Sequence, residues 1–183
     1  MGALHAEKGY TIDDINALPE DQHAELIDGD LFMMSAPTVL HQRLSGGLYY
    51  QIRDHISDLG KDCEVFSSPF AVFLNGLEDE YNYFEPDIVI ICDPGKTENG
   101  NGCDGAPDWI IEITSPATEK RDMGIKLFKY RNAGVKEYWV VNPLKKIVNV
   151  FLFGNNPEGS TYTFDEAIPV GLCTDFTIRI ADL

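Results

Sequence analysis

The sequence lacks any long apolar run and has little positive charge. Its uninterrupted apolar stretches reach only five residues, as at 88–92, far below the roughly 20 residues that a bilayer span requires. Lysine and arginine number 14 against 30 aspartates and glutamates, for a formal net charge of −16. This average charge repels polyanions and argues against salt-driven, nonspecific binding to nucleic acid. We therefore expect a soluble protein without a membrane partner.

Cysteine is also scarce, and the cysteines form no metal-binding or redox motif. Cys63, Cys92, Cys103 and Cys173 include no Cys-x-x-Cys pair and no Cys/His spacing typical of zinc. The first residues show neither a basic region followed by an apolar one nor a myristoylation pattern. We expect buried or incidental thiols in a reducing cytoplasm.

The scarce positive charge is concentrated in one segment, 120–146. This basic segment holds eight basic and two acidic residues, whereas the rest of the chain holds six basic and 28 acidic residues. Two interpretations stay open: the segment is a solvated helix face, or it is an anion-facing surface beside a site.

Hydrophobic periodicity predicts helices packed on a mixed sheet. A long amphipathic helix is predicted at 39–59, ending at Leu59-Gly60, and a second at 118–132, closed by Ala133-Gly134. Strands are predicted from short apolar runs bounded by turn residues at 63–74, 86–92, 109–114, 137–141, 147–153, 160–164 and 175–180.

These elements are expected to form one domain, 1–183, because the chain is too short for two full cores. An amino-terminal helix and an Asp28-Gly29 hairpin occupy 10–35, the core 39–153 and the last strands 160–183. The core order is helix, strand, strand, strand, helix, strand. We predict an α/β (α+β) fold with a mixed central sheet flanked by helices.

One charged residue interrupts a buried strand. Glu112 lies within Trp109-Ile110-Ile111-Glu112-Ile113, where an unpaired carboxylate is costly because both faces of such a strand are covered. Strand alternation puts Glu112 on one face with Ile110 and Thr114. The strand then opens into Ser115-Pro116, and sites are usually built where strands end in loops.

A second acid, Asp87, has the same relation to its own strand. It follows Pro86 and precedes an apolar run. If the two strands are neighbours, Asp87 and Glu112 can converge on a hard divalent cation, which prefers oxygen ligands and keeps several waters. Two structural alternatives stay open: Asp87 caps a turn, and Glu112 pairs with a lysine.

Several motifs together resemble the PD-(D/E)xK nuclease superfamily and, within it, the Uma-type family of restriction endonucleases. The resemblance covers roughly 10–180. The residues that carry it are Tyr10-Thr11, Glu25-Leu26-Ile27-Asp28-Gly29, the helix opening at His41, Pro86-Asp87, Glu112-Ile113-Thr114-Ser115-Pro116-x-Thr118, Asp122, Lys126, Tyr130 and Gly134-Val135-x-Glu137-Tyr138-Trp139-Val140-Val141.

The resemblance implies a restriction-endonuclease-like fold and a Mg²⁺- or Mn²⁺-dependent endonuclease that hydrolyses phosphodiester bonds of nucleic acid, with DNA as the expected substrate. Asp87 and Glu112 would hold the metal. The metal would polarise the phosphate and lower the pKa of a bound water, and Lys126 would orient that water or offset developing charge.

The lysine of the superfamily pattern is missing from its usual position in this sequence. The superfamily has a lysine two residues after the acid, where this sequence has Thr114. The resemblance implies a lysine moved to the following helix, and Lys126 is the matching position. Lys126 shares a helix face with Tyr130, four residues later, whereas Lys129 is the competing candidate.

Two further positions match the family. Glu25 would be an extra ligand or water-positioning group, or else a surface carboxylate before the hairpin turn. His41 would belong to the site, or else simply begin its helix.

Three functions follow from the sequence. The first is a metal-dependent endonuclease. The second is a catalytically silent nuclease-fold module for oligomerisation or regulation, which the acidic remainder favours. The third is a hydrolase acting on another phosphorylated substrate. Strand edges and an aromatic loop at Tyr81, Tyr83 and Phe84 further predict a homodimer or other homo-oligomer.

Overall fold

A six-stranded mixed sheet forms the centre of the computed structural model, which describes residues 9–58, 62–173 and 175–183. In sheet order, the strands are β10 (Asn156–Thr163), β9 (Ile147–Leu152), β8 (Glu137–Asn142), β7 (Trp109–Ile113), β5 (Ile88–Ile91) and β3 (Glu64–Ser67). β7 and β8 run parallel, and each other neighbouring pair in this sheet is antiparallel.

Three two-stranded sheets lie around this centre. The hairpin of β1 (Ala24–Ile27) and β2 (Asp30–Met33) turns through Asp28 and Gly29, whose φ values of 52° and 85° are those of a left-handed turn. The other two pairs are β4 (Val72–Phe73) with β6 (Cys103–Asp104), and β11 (Ile168–Pro169) with β12 (Thr177–Ile178).

The helices are α1 (Ile12–Asn16), α2 (Val39–Asp58) and a continuous helix at 119–133, which we call the site helix. The site helix consists of α3 (Glu119–Arg121), a π-helical turn (Asp122–Lys126) and α4 (Leu127–Ala133). Short 3₁₀ helices occur at Pro94–Thr97 and Ile180–Asp182. Within the described ranges, no helix combines the length and apolar character needed to cross a membrane.

The two faces of the sheet bury separate apolar clusters. Trp109, Ile111 and Ile113 pack on one face with α2, and Ile110 lies in the cluster on the other face. The site helix and the hairpin contribute Tyr130 and Ile27 to that second cluster. The predicted alternation along β7 is therefore confirmed, and Glu112 lies on the face covered by the site helix.

The predicted core order of helix, three strands, helix and strand is confirmed, but some predicted bounds are wrong. The expected strand at 63–74 is divided into β3 and β4, because Pro69 between them has no N–H to donate to a sheet ladder. The expected strand at 175–180 shortens to Thr177–Ile178. The predicted helix stop at 59–60, like the first eight residues, lies outside the described residues.

The expectation of four unbonded thiols is wrong for one pair. Cys63 and Cys92 form a disulfide, whereas Cys103 and Cys173 are buried as expected. Glu64 pairs with Ile91 across β3 and β5, so the register brings Cys63 and Cys92 together one step further along. The two positions are 29 residues apart in sequence, and no local motif indicates their pairing.

Candidate active site

The two predicted metal ligands lie opposite each other on adjacent strands. Ile88 pairs with Ile111 across the antiparallel strands β5 and β7, so the same register places Asp87 opposite Glu112. Directly opposed residues of an antiparallel pair carry their side chains on the same face. The structure therefore brings together the two carboxylates that the sequence singled out separately.

Glu112 is buried and receives its polar partners at one oxygen. Lys126 Nζ lies 2.7 Å from its Oε1, and the hydroxyl of Tyr130 donates a 2.9 Å hydrogen bond to the same atom. Burial raises the pKa of Glu112 well above its usual range. Lys126 opposes that rise, whereas the nearby carboxylates of Glu25, Asp122 and Asp87 add to it.

Lys126 is the centre of a group of charged side chains that we call the charge network, which also contains Glu25, Glu112 and Asp122. Its Nζ lies 2.7 Å from both Glu25 Oε1 and Glu112 Oε1 and 3.8 Å from Asp122 Oδ1, and its side chain is only 3% exposed. Burial alone would lower the pKa of Lys126, but the surrounding carboxylates outweigh it and raise the pKa. The competing candidate, Lys129, instead pairs with Asp28 at the hairpin turn.

Glu25 enters the site from β1. The hairpin is held by backbone hydrogen bonds between Leu26 and Tyr83, which lies shortly before β5. Oε1 of Glu25 accepts from Lys126 and from the backbone N–H of Glu85, and Oε2 faces Arg121 at 3.8 Å. The structure thus places Glu25 within the charge network, buried rather than on the surface.

Asp87 is oriented by two donors from different elements. The backbone N–H of Ile113 donates to its Oδ2 at 2.7 Å, and His41 Nε2 lies 3.2 Å from its Oδ1. The hydrogen bond to Asp87 raises the pKa of His41 against the opposing effect of burial, and the Ile113 backbone contributes to the rise. His41 therefore does more than begin α2, because it ties that helix to Asp87.

A π-helical turn directs two charged side chains inward. Asp122 and Lys126 bound this turn, and both are buried. Burial raises the pKa of Asp122, while Lys126, Thr118 and Thr114 act against that rise. Single π turns often occur at functional sites. The apolar pattern predicted the helix but not the π turn, because both helix types bury the same stripe over so short a stretch.

Several lysines of the basic segment pair with acids of the same chain. Besides Lys126, three of its lysines form ion pairs with acids outside it: Lys129 with Asp28, Lys136 with Asp108 and Lys145 with Glu119. Its positive charge therefore neutralises acids of the same chain, inside the site and at the surface. Sequence alone could not show these pairs, since the longest joins residues 101 positions apart.

The site residues have the chemistry for a divalent cation. Among the described residues, no group of three or more His, Cys, Asp or Glu side chains has the arrangement of a metal site. Mg²⁺, however, is commonly held by one or two carboxylates, with waters and substrate oxygens completing the shell. Asp87 and Glu112 supply such a pair. A cation there would favour the charged form of Glu112, whose pKa is raised by burial and further by the neighbouring carboxylates.

Comparison with known proteins agrees with the fold. No curated protein matches the chain. A crystal structure described as "a putative nuclease belonging to DUF820 from Anabaena variabilis" has a similar fold, with a TM-score of 0.72 and 21% identity over 94% of this chain and 96% of that one. The likeness confirms the predicted nuclease-like fold, a mixed sheet flanked by helices.

A family model identifies the chain more directly. It matches residues 12–179, which include the hairpin, β5, β7 and the site helix. The chain belongs to the Uma2 family, whose description is "Putative restriction endonuclease".

Proposed function

We propose that the protein is a Mg²⁺- or Mn²⁺-dependent endonuclease that hydrolyses phosphodiester bonds of DNA. One observation carries the proposal: Asp87 and Glu112 lie opposite each other on β5 and β7, with Lys126 2.7 Å from Glu112. Membership of a restriction endonuclease family supports the same chemistry.

Asp87 and Glu112 would hold the divalent cation. When bound, the cation supplies Lewis-acid activation of the phosphate and of a water nucleophile. The Tyr130 hydroxyl would orient the Glu112 carboxylate and the Ile113 N–H would orient that of Asp87, so both ligands would be held before substrate arrives.

Lys126 acts as a fixed positive charge. Its raised pKa keeps it protonated at neutral pH, so it is unsuited to accept a proton. Its role is to offset the negative charge that develops on the phosphate during cleavage. His41 is a positioning residue that acts through Asp87.

A second candidate function is a nuclease-fold module that binds a partner without cutting. The net charge of −16 favours it, because a strongly acidic protein repels DNA at long range. This candidate predicts no cleavage under any metal condition.

Plasmid cleavage separates the two candidates. Supercoiled plasmid is incubated with wild type, Asp87→Asn, Glu112→Gln and the control Glu119→Gln, which changes an acid of the site helix that pairs with Lys145 at the surface. We expect wild type and the control to nick the plasmid with Mg²⁺ or Mn²⁺ and to stop in EDTA. The nicking rates of Asp87→Asn and Glu112→Gln should fall at least about 100-fold.

Wild type that is inert with every divalent cation tried would contradict the endonuclease proposal. A chromogenic phosphodiester is assayed in parallel. Its hydrolysis without plasmid cleavage would instead indicate another phosphorylated substrate.

A further inference from the structure

Two cations of the site helix reach the same carboxylate in different ways. Lys126 contacts Oε1 of Glu25, and Arg121 faces Oε2. Lys126 is 3% exposed and has carboxylate oxygens of Glu25 and Glu112 at 2.7 Å. It cannot extend to a bound phosphate without breaking these contacts.

Arg121 has a fixed position, but its Nε–H is not engaged in a hydrogen bond with the described residues. Its side chain is 18% exposed, and the distance of 3.8 Å from its Nε to Glu25 Oε2 is too long for a hydrogen bond. In the described part of the chain, this buried Nε has no hydrogen-bond partner. A buried N–H donor without an acceptor is costly and calls for an explanation.

The ring of Phe32 fixes where the guanidinium lies. Cζ of Arg121 lies 4.6 Å from the centre of that ring, a cation–π contact between the site helix and β2. The planar group is thus pre-oriented beside Glu25, at the edge of the charge network. Stacked, partly exposed guanidinium groups are well suited to bind phosphate oxygens with two parallel hydrogen bonds.

Four other cations of the basic segment are less suited to this task. Lys129, Lys136 and Lys145 pair with acids away from the site. Arg131 is exposed on the same helix, ten positions beyond Arg121. Arg121 therefore combines a position beside the site with an Nε that donates to no residue within the described ranges.

We propose that Arg121 is the residue that binds the DNA phosphate at the cleavage site, through donors that Glu25 and Phe32 orient but do not occupy. This inference rests on the proposed nuclease function. It assigns direct binding of the phosphate oxygens to Arg121, whereas Lys126 acts on the phosphate only through its fixed charge, without contacting it.

The test compares wild type, Arg121→Gln, Arg121→Lys and the charge-matched control Arg131→Gln. Binding to a fluorescent duplex is measured in Ca²⁺ at several salt concentrations, and single-turnover cleavage is measured in Mn²⁺. Loss of one phosphate contact reduces the slope of log affinity against log salt by about 1. We expect this reduction in Arg121→Gln.

Cleavage by Arg121→Gln should fall about 100-fold while Mn²⁺ affinity stays unchanged. Arg121→Lys should recover only part of the rate, because an ammonium lacks the planar pair of donors. Arg131→Gln should cleave within about threefold of wild type, as expected for a surface change far from the chemistry.

An unchanged salt slope with a wild-type rate in Arg121→Gln would overturn the inference. Loss of Mn²⁺ affinity or of folding in that variant would also overturn it, because Arg121 would then be a structural residue. The binding slope does not require cleavage. Wild type that binds DNA without cutting would therefore contradict the proposed function. The slope of log affinity against log salt would still decide whether Arg121 binds the phosphate.

Discussion

In the proposed function, the buried side chain of Lys126 serves both the fold and the chemistry. Two glutamates, one from β1 and one from β7, meet its ammonium group at 2.7 Å. Removing one partner of a buried ion pair is costly because the remaining charge is left without compensation. Here a single removal would leave two carboxylates facing each other in the interior.

We predict that Lys126→Met loses at least about 100-fold in plasmid cleavage and about 3–5 kcal/mol in the free energy of unfolding. The double variant Lys126→Met/Glu112→Gln should regain part of the stability but no activity, because one of the two unpaired charges is gone. Urea unfolding and the nicking assay measure the two effects.

Lys129→Met is the matched control. Its partner Asp28 is more than half exposed, so this variant should lose no more than about 1 kcal/mol and keep its cleavage rate. Equal losses of activity in Lys126→Met and Lys129→Met would contradict the assignment of Lys126.

At the residue scale, sequence spacing is enough to single out the candidate site residues that lie on β7 and on the site helix. Glu112 stands out because it interrupts an apolar run, and Lys126 and Tyr130 share one helix face because they are four residues apart. The proximity of Glu25 to Arg121 and Lys126 depends on how the hairpin packs against a helix nearly a hundred residues later. No local pattern carries that information, and only the family resemblance pointed to Glu25.

Two glycines on and after the site helix allow a direct test of its backbone. Gly134 ends the helix with φ at +98°, a left-handed conformation, whereas Gly124 lies inside the π-helical turn. A Cβ would meet nothing within 4 Å at either position. Gly→Ala substitutions at these two positions therefore differ only in the backbone conformation that the alanine must adopt.

We predict opposite signs for the two alanine variants. Gly124→Ala should stabilise the protein by about 0.5–1 kcal/mol, because alanine loses less backbone entropy on folding. Gly134→Ala should destabilise it by about 1–2 kcal/mol, because a Cβ disfavours positive φ. Thermal or urea unfolding tests both. Destabilisation by Gly124→Ala would mean that the π turn itself requires glycine.

The start of β7 gives a pH-dependent prediction. Asp108 accepts hydrogen bonds from the backbone N–H of Cys92 and from Lys136. Burial alone would raise the pKa of Asp108, but these two donors outweigh it and lower the pKa. An acid with a depressed folded pKa stabilises the fold above its unfolded pKa, near 3.9, and that stability is lost as pH falls through the folded pKa.

Asp108→Asn should therefore cost about 1–2 kcal/mol at pH 7, and the difference from wild type should shrink as the pH falls towards about 3. Lys136→Met should cost less, because its side chain is 67% exposed and the Cys92 N–H keeps its acceptor. Urea unfolding across this pH range is the measurement. A constant difference for Asp108→Asn would show that its charge does not stabilise the fold.

At the element scale, periodicity predicts the core order because each helix and strand buries its own stripe or face. Periodicity does not reveal irregular backbone geometry that leaves the apolar pattern almost unchanged, as in the π-helical turn. The division between β3 and β4 could have been predicted, since Pro69 cannot donate to a ladder.

For the whole molecule, the distribution of charge matters more than its total. The net charge is −16, yet the basic segment supplies cations to acids of the hairpin, of β7 and of the site helix. An overall acidic protein can therefore still have positive groups beside its candidate active site. β10 and β3 form the edges of the central sheet, and assembly into a homo-oligomer stays a prediction.

The disulfide gives a prediction for global stability. Cys63 and Cys92 are 29 positions apart and close a loop that contains β3, β4 and β5. The double variant Cys63→Ser/Cys92→Ser should lose about 3–4 kcal/mol, because the bond restricts the unfolded chain. Cleavage should persist at temperatures where the variant is folded, since Cys92 and Asp87 lie at opposite ends of β5, about 17 Å apart at the usual rise per residue.

Urea unfolding of wild type with and without reductant provides the internal control. Equal stability of the oxidised and reduced protein would contradict this prediction. The sequence could not indicate the bond, because the pairing follows from the register of two strands that the chain brings together only on folding.

The most direct measurement is a calorimetric titration of Mn²⁺ into wild type, Asp87→Asn and Glu112→Ala, followed by incubation of the same samples with plasmid DNA. We expect wild type to bind the metal and nick the plasmid. Either variant should lose more than about tenfold in affinity, or 1.4 kcal/mol, together with its cleavage, because the two carboxylates form one site. Retention of wild-type affinity by Asp87→Asn, or no binding by wild type, would contradict the two-carboxylate metal site.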